Sequence, residues 1–386
     1  MKHSRWHRVI FVILRYLAGP FVRVAMGYRC KRERGPQTPS LIISNHNTNL
    51  DPALIALGFS RHIYFVASEH AFRMGFKSKL MEAVFSPIAI HKSHADIFAI
   101  KEMIKRLKAG ANVCLFAEGD RSYNGMTGQV SPSTAKLAKM SGADLITFRL
   151  EGGYFTSPRW AKKRRGGRMS GRRVGTYSAA ELKTMTDKQV LAIIERDIYE
   201  NAYDRQKEDP VRFRGKDLAE TIETALYLCP RCKGIGGIHS KGDRFFCECG
   251  LDVTYTETGF LEGQGLPFST VSEWDAWQTE QLIDNVERAG DEPICADEDQ
   301  RLYVVRSAAG NEPAGEGPMF IDRREFHCAG KSFPLKEISR FVVVGKMTLQ
   351  FALTDGTSYE VQSATPRSAL KYKEIFRILS EKGLAG

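Results

Sequence analysis

His46 and Asp51 stand with four residues between them in the stretch Ser44-Asn45-His46-Asn47-Thr48-Asn49-Leu50-Asp51-Pro52. Histidine is the side chain whose ordinary pKa lies nearest neutral pH. A carboxylate on its far ring nitrogen fixes one tautomer and leaves the other nitrogen able to take a proton. Such a pair can deprotonate a hydroxyl, which is a poor nucleophile at neutral pH. No Ser or Cys accompanies His46 in an evident nucleophile motif, so the hydroxyl would belong to a substrate and attack directly, with no covalent intermediate on the chain. The same residues also allow a plainer reading. Asp51-Pro52 ahead of Ala53-Leu54-Ile55-Ala56-Leu57 is a helix start, with a carboxylate at the N-cap and proline at the first helical position.

A second cluster changes the balance. Val113-Cys114-Leu115-Phe116 has the length and composition of a buried strand, and Ala117-Glu118-Gly119-Asp120-Arg121-Ser122 follows it. In open α/β sheets ligands bind at such strand ends. Arg121 can fork onto phosphate oxygens, Gly119 lets backbone approach a ligand, Ser122 can add a hydroxyl contact and Glu118 could bind an acceptor hydroxyl. Taken alone, the cluster could equally be a charged turn closing a strand.

Taken together, Asn45-His46 with Asp51, and then the tract from Phe116 through Ser122, resemble the first and third blocks of the glycerolipid acyltransferase superfamily. Bacterial members of that superfamily acylate lysophosphatidic acid. Ser86-Pro87-Ile88-Ala89-Ile90-His91-Lys92 is similar to the second block, and the order and distances match over about residues 35–210. The resemblance implies acyl transfer from a thioester, carried by coenzyme A or acyl carrier protein, to a lysophospholipid hydroxyl. It implies His46 and Asp51 as the catalytic pair, and Lys92, Glu118, Gly119 and Arg121 as the residues that hold the glycerol phosphate. Three positions depart from the pattern. Lys92, or His91 if the register slips, stands where arginine is usual, which keeps a cation but loses the bidentate fork. Ala117 replaces a proline, and Asp120 replaces a threonine, adding a carboxylate beside a phosphate site.

Charge is concentrated. Residues 1–35 carry nine Lys/Arg and one Glu, and residues 155–175 carry eight Lys/Arg and no acid, so the rest of this +11 chain is net acidic. A polyanionic partner is the simplest reason, either anionic lipid or nucleic acid. In residues 1–34 the charges interleave with Trp6, Val9-Ile10-Phe11-Val12-Ile13-Leu14 and Phe21-Val22, while Arg15, Pro20 and Arg23 keep the apolar run short of the ~20 residues a span needs. This predicts an in-plane amphipathic anchor on the cytoplasmic face of a membrane, peripheral or monotopic. The second basic segment, from Arg159 to Arg173, reads as an exposed glycine-rich loop that could meet anionic lipid, coenzyme A phosphates or acyl carrier protein.

The elements around these clusters alternate. Ile97, Ile100, Ile104 and Leu107 have helical spacing, and Thr186 and Gln189 have the spacing of a capping box. Residues 35–212 are thus expected to form an α/β domain with the site at strand ends. Cys229-Pro230-Arg231-Cys232, fourteen residues, then Cys247-Glu248-Cys249 is a four-thiolate pattern that closes a tetrahedron around structural zinc; iron or two reactive thiol pairs are the alternatives. A zinc ribbon is expected over 224–256 and a connecting helix over 270–290, with Trp274 and Trp277 on one face. A mainly β domain ending in a helix is expected over 294–386, its strands similar to a pleckstrin-homology or GRAM-like module. No catalytic cofactor is expected. Two other functions compete: a zinc-ribbon nucleic-acid-binding protein, which leaves the His46 and Glu118 clusters idle, and a catalytically inactive membrane adaptor.

Overall fold

The computed structural model describes residues 4–31, 38–68, 82, 85–90, 97–306 and 310–384. Its contacts divide the chain into two compact units, residues 1–159 with 164–215, and residues 160–163 with 216–386.

The first unit runs α1 (Ser4–Leu17), α2 (Gly19–Met26), β1 (Tyr28–Cys30), β2 (Ser40–Ser44), α3 (Asp51–Gly58), β3 (Ile63–Ser68), β4 (Ile88–Ile90), α4 (Ile97–Lys108), β5 (Asn112–Phe116), α5 (Ser133–Ser141), β6 (Asp144–Glu151), α6 (Gly153–Thr156), β7 (Met169–Tyr177), α7 (Ala179–Thr184), α8 (Asp187–Ile198) and α9 (Ala202–Glu208). Its seven-stranded sheet has the order β1-β7-β6-β2-β5-β3-β4. All neighbours are parallel except β6 and β7. Central β2 is buried on both faces, as its apolar Leu41-Ile42-Ile43 requires. Leu41 and Ile43 pack with Met103 and Leu107 of α4 and with Val190 and Ile194 of α8. Ile42 faces the other way, with Leu54 and Ile55 of α3 and Phe148. Two helical layers therefore sandwich the sheet. The Thr186/Gln189 capping box forms and opens α8.

Two expectations need correction. Asp51 does not cap α3: it is the first helical residue, the N-cap is Leu50, and no side chain caps the helix. The segment from Arg159 to Arg173 is not an exposed loop. Arg159 and Arg165 are buried, and residues from Met169 onward form β7. Arg159 pairs with Asp120, Arg168 with Asp209 and Arg172 with Glu151, so acids distant in sequence neutralise much of the run.

The second unit contains β8 (Ile238–Lys241), β9 (Arg244–Cys247), β10 (Asp252–Tyr255), β11 (Leu261–Glu262), α10 (Val271–Arg288), β12 (Cys295–Arg306), β13 (Gly310–Ile321), β14 (Glu325–Cys328), β15 (Lys331–Pro334), β16 (Ile338–Val344), β17 (Thr348–Leu353), β18 (Ser358–Ser363) and α11 (Ala369–Glu381). Strands β8 to β11 form one antiparallel sheet. The other seven form a second, in the order β15-β14-β13-β12-β18-β17-β16. Trp274 is buried against Phe245 and Phe268, and its indole donates to Leu228 O at 2.9 Å. Lys162 and Lys163 pair here with Glu220 and Asp217.

Beneath α11, Lys371 and Asp297 form a buried ion pair at 2.8 Å. Removing Lys371 leaves the buried Asp297 with only the partly exposed Arg367, 3.8 Å away, as a counter-charge; breaking a buried pair typically costs about 3–5 kcal/mol, whereas an apolar pair of similar volume can be neutral. Lys371→Met should therefore lower the urea midpoint read from Trp274 fluorescence, and adding Asp297→Leu should recover most of that loss.

Candidate active site

The site lies where β2 and β5 end side by side, with Ser44 paired in register with Phe116. Beyond Ser44 the chain turns through Asn45-His46-Asn47-Thr48 before α3, and this turn is wound around one carboxylate. Asp51 is fully buried. Its Oδ2 accepts from the backbone N–H of Asn47 at 2.6 Å and of Thr48 at 2.8 Å, and Oδ1 accepts from the Thr48 hydroxyl at 2.6 Å. His46 Nδ1 lies 2.9 Å from the same Oδ2. A carboxylate already accepting these bonds has no proton to give, so Nδ1 donates and Nε2 carries the lone pair. The imidazole stacks on Phe116, with centroids 4.1 Å apart, and keeps 21% of its side-chain surface exposed. Among the described residues nothing hydrogen-bonds Nε2.

Two third-block side chains, Glu118 and Ser122, are engaged within the protein. Glu118 Oε1 accepts from His46 N and Oε2 from Gly128 N, both at 2.6 Å, so its carboxyl brackets the His46 backbone instead of pointing at an acceptor hydroxyl. Burial pushes this carboxyl up to about 8 against the opposing pull of those two amides, with Asp51 and Glu200 adding like-charge repulsion. Ser122 is also turned inward. Its hydroxyl donates to Met126 O at 2.7 Å and accepts from Gly125 N at 2.9 Å, while its own N–H donates to His46 O at 3.1 Å. Both sides of the His46 peptide are thus tied to the loop after β5. Gly119, at φ +71°, makes the turn between them and has open space where a Cβ would project.

Arg121 is the cation of this loop, and among the described residues no hydrogen bond or ion pair engages its guanidinium. Burial, followed by repulsion from Arg159, lowers its pKa, while Asp51 and Asp120 act in the opposite direction. Asp120 pairs with the buried Arg159 at 3.1 Å, and Arg159 also lies over the Tyr123 ring at 4.2 Å. The carboxylate that looked unfavourable in the sequence is therefore compensated from outside the motif. Lys92 and His91 lie outside the described residues.

Sequence reasoning missed a second brace, Glu200. Its Oε2 accepts from Asn47 Nδ2 at 2.8 Å and its Oε1 from Gly152 N at 2.9 Å, and burial raises its pKa. Asn45 locks the turn to β6, donating to Leu150 O and accepting from Leu150 N, each at 2.8 Å. Glu200 follows α8, over 150 residues from Asn47, and no local pattern marks it.

The four cysteines form a separate cluster in the second unit. The Sγ atoms of Cys229, Cys232, Cys247 and Cys249 lie within 4.8 Å of one another, with Cys229 to Cys249 at 3.6 Å and Cys232 to Cys247 at 3.8 Å. Four thiolates at the ~2.3 Å bond length of zinc sit roughly 3.8 Å apart at tetrahedron corners. The spacing fits such an ion, and His239 is not part of the cluster.

The chain matches none of the curated proteins with which it was compared. Among solved structures it is similar to the 1-acyl-sn-glycerophosphate (LPA) acyltransferase PlsC from Thermotoga maritima, at 17% identity and a TM-score of 0.40, covering 49% of this chain and 78% of that one. Residues 28–151, which include the His46 turn and the whole loop after β5, match the family model described as Acyltransferase.

Proposed function

We propose that this chain is a membrane-surface O-acyltransferase of phospholipid synthesis, moving a fatty acyl group from an acyl thioester to the hydroxyl of a lysophospholipid, most suitably 1-acyl-glycerol 3-phosphate. The observation that carries this reading is the His46–Asp51 pair, with Nδ1 held and Nε2 open. The acceptor oxygen attacks the thioester carbonyl while Nε2 takes its proton. When the tetrahedral intermediate collapses, the C–S bond breaks and the thiolate of coenzyme A or acyl carrier protein leaves with that proton. Asp51 stabilises the imidazolium between the two steps. Arg121, close enough to feel Asp51, supplies a cation for the acceptor phosphate. Lys92 is assigned to the same phosphate by the resemblance of its block.

A peripheral position on the cytoplasmic face of the membrane is part of the proposal. Among the described residues no single helix is long and apolar enough to cross a bilayer; Trp6–Leu17 and Gly19–Met26 pass only as a pair bent by 49°. Val9, Ile13, Tyr16, Leu17, Phe21 and Val24 on this pair are exposed, which supports an in-plane anchor. The nucleic-acid reading loses support from the ion pairs that consume much of the second basic segment. In the second unit, the cysteine cluster supports a structural zinc ribbon. Two antiparallel runs joined through β12 and β18 and followed by α11 support a pleckstrin-homology or GRAM-like module.

Three outcomes test these assignments. With acyl-coenzyme A or acyl carrier protein as donor and 1-acyl-glycerol 3-phosphate as acceptor, His46→Ala should lower kcat by at least ~10³-fold, and Asp51→Asn, which permits the wrong tautomer, by a comparable ~10³ to 10⁴-fold. Wild-type turnover in His46→Ala would remove the proposed base. Arg121→Gln should raise KM for the phosphorylated acceptor about tenfold or more, the size of one lost charge-assisted contact, while affecting an uncharged monoacylglycerol far less. Purified protein should contain one zinc per chain by elemental analysis, and Cys232→Ser/Cys249→Ser should lose both the zinc and cooperative melting of the second unit.

A further inference from the structure

A cavity of about 770 Å³ opens at the end of the parallel strands opposite to His46. Arg61 and His62 precede β3 and Ala111 precedes β5 at this cavity, whereas His46 and Glu118 follow the far ends of β2 and β5. The five residues of β5 alone set the two places roughly 16 Å apart. Neither the sequence motifs nor the proposed chemistry uses this space.

Its two walls differ in character. Arg8 of α1, Arg61, and Lys105 and Arg106 at the end of α4 make one wall basic, against the lone carboxylate of Glu102 among the described lining residues. Arg106 is a fixed part of the frame: it donates to Ser86 O at 2.5 Å, pairs with Glu102 at 2.9 Å and lies 4.5 Å over the Tyr64 ring. His62 is buried among these cations. Burial, with His7, Arg106 and Arg8 adding repulsion, pushes its imidazole down to about 4, so the positive field comes from arginine and lysine. The other wall is apolar, made by Phe11 and Val12 of α1. That helix also exposes Val9, Ile13 and Tyr16. A small anion would need only the basic wall, whereas an apolar wall continuous with an exposed apolar helix suits a molecule with both a charged head and hydrocarbon.

We propose that this cavity receives the phosphate of an anionic phospholipid, whose acyl chains lie over Phe11 and Val12 along α1. This is a second lipid site, separate from the acceptor site at His46, and it fixes the rotation of α1 on the membrane by engaging one headgroup specifically.

Titration calorimetry of the full chain with dihexanoyl-phosphatidylglycerol below its micelle concentration tests this without measuring acyl transfer, so its outcome is separable from that at His46. Saturable binding is expected, weakened at least tenfold by Arg8→Glu/Lys105→Glu and to an intermediate degree by Arg8→Gln/Lys105→Gln. It should be unchanged in Lys101→Glu/Lys108→Glu, an equal charge change on exposed residues of α4 outside the cavity, and in Arg121→Ala. Dihexanoyl-phosphatidylcholine and inorganic phosphate should each bind at least tenfold more weakly. Equal losses in the two charge reversals, loss confined to Arg121→Ala, or phosphatidylcholine as tight as phosphatidylglycerol would overturn the site. Inorganic phosphate binding as tightly as the lipid would make it a free-anion site instead.

Discussion

The buried carboxylate of Asp51 is the constraint around which the proposed active site is built. A carboxylate removed from water must find donors or lose its charge, and Asp51 finds four: two backbone amides, one hydroxyl and one imidazole nitrogen. All four come from the turn immediately before it, three of them from Asn47 and Thr48, so meeting the needs of one ion shapes the turn. The fourth is the His46 ring, whose tautomer and orientation follow from the same requirement. The proposed catalytic arrangement and the local fold are therefore a single hydrogen-bonded object.

Glu118 and Glu200 extend that logic outward. Glu118 ties the His46 peptide to the loop after β5, and Glu200 ties Asn47 to the start of α6. Burial raises both carboxyls, and each is held differently: Glu118 by two backbone amides, Glu200 by the Arg205 guanidinium at 3.4 Å together with the Gly152 amide and Asn47. Acid groups concentrated around the histidine thus act as supports with different partners. Among the described residues, His46 Nε2 and the Arg121 guanidinium are left without a hydrogen bond or ion pair inside the protein, and these are the groups proposed to meet a substrate.

Local order is legible where the interactions are local. The Thr186/Gln189 box, the spacing of Ile97 to Leu107 and the apolar run before Ala117 each specify an element because the groups that satisfy it lie within one turn or one strand. Strand β13 is the counter-example. Its Pro313, Gly315 and Gly317 argue against a strand, and pairing along β12 overrides that preference. Strands β14 and β15 were likewise hidden, each being short and half polar.

The sequence by itself determined the chemistry available: a histidine with a carboxylate five positions on, an arginine after an apolar run, four thiols in two close pairs. Residue type and short spacing are enough for that, since both are properties of the chain before it folds. Tertiary structure decided what each charge is for. It made Asp51 an orienter and not a helix cap, turned Glu118 and Ser122 inward as braces, brought Glu200 to Asn47, and set Arg159 against Asp120. The physical reason is the same in every case: a buried polar group is paid for by whichever partner folding brings within about 3 Å, and that partner need not be near in sequence.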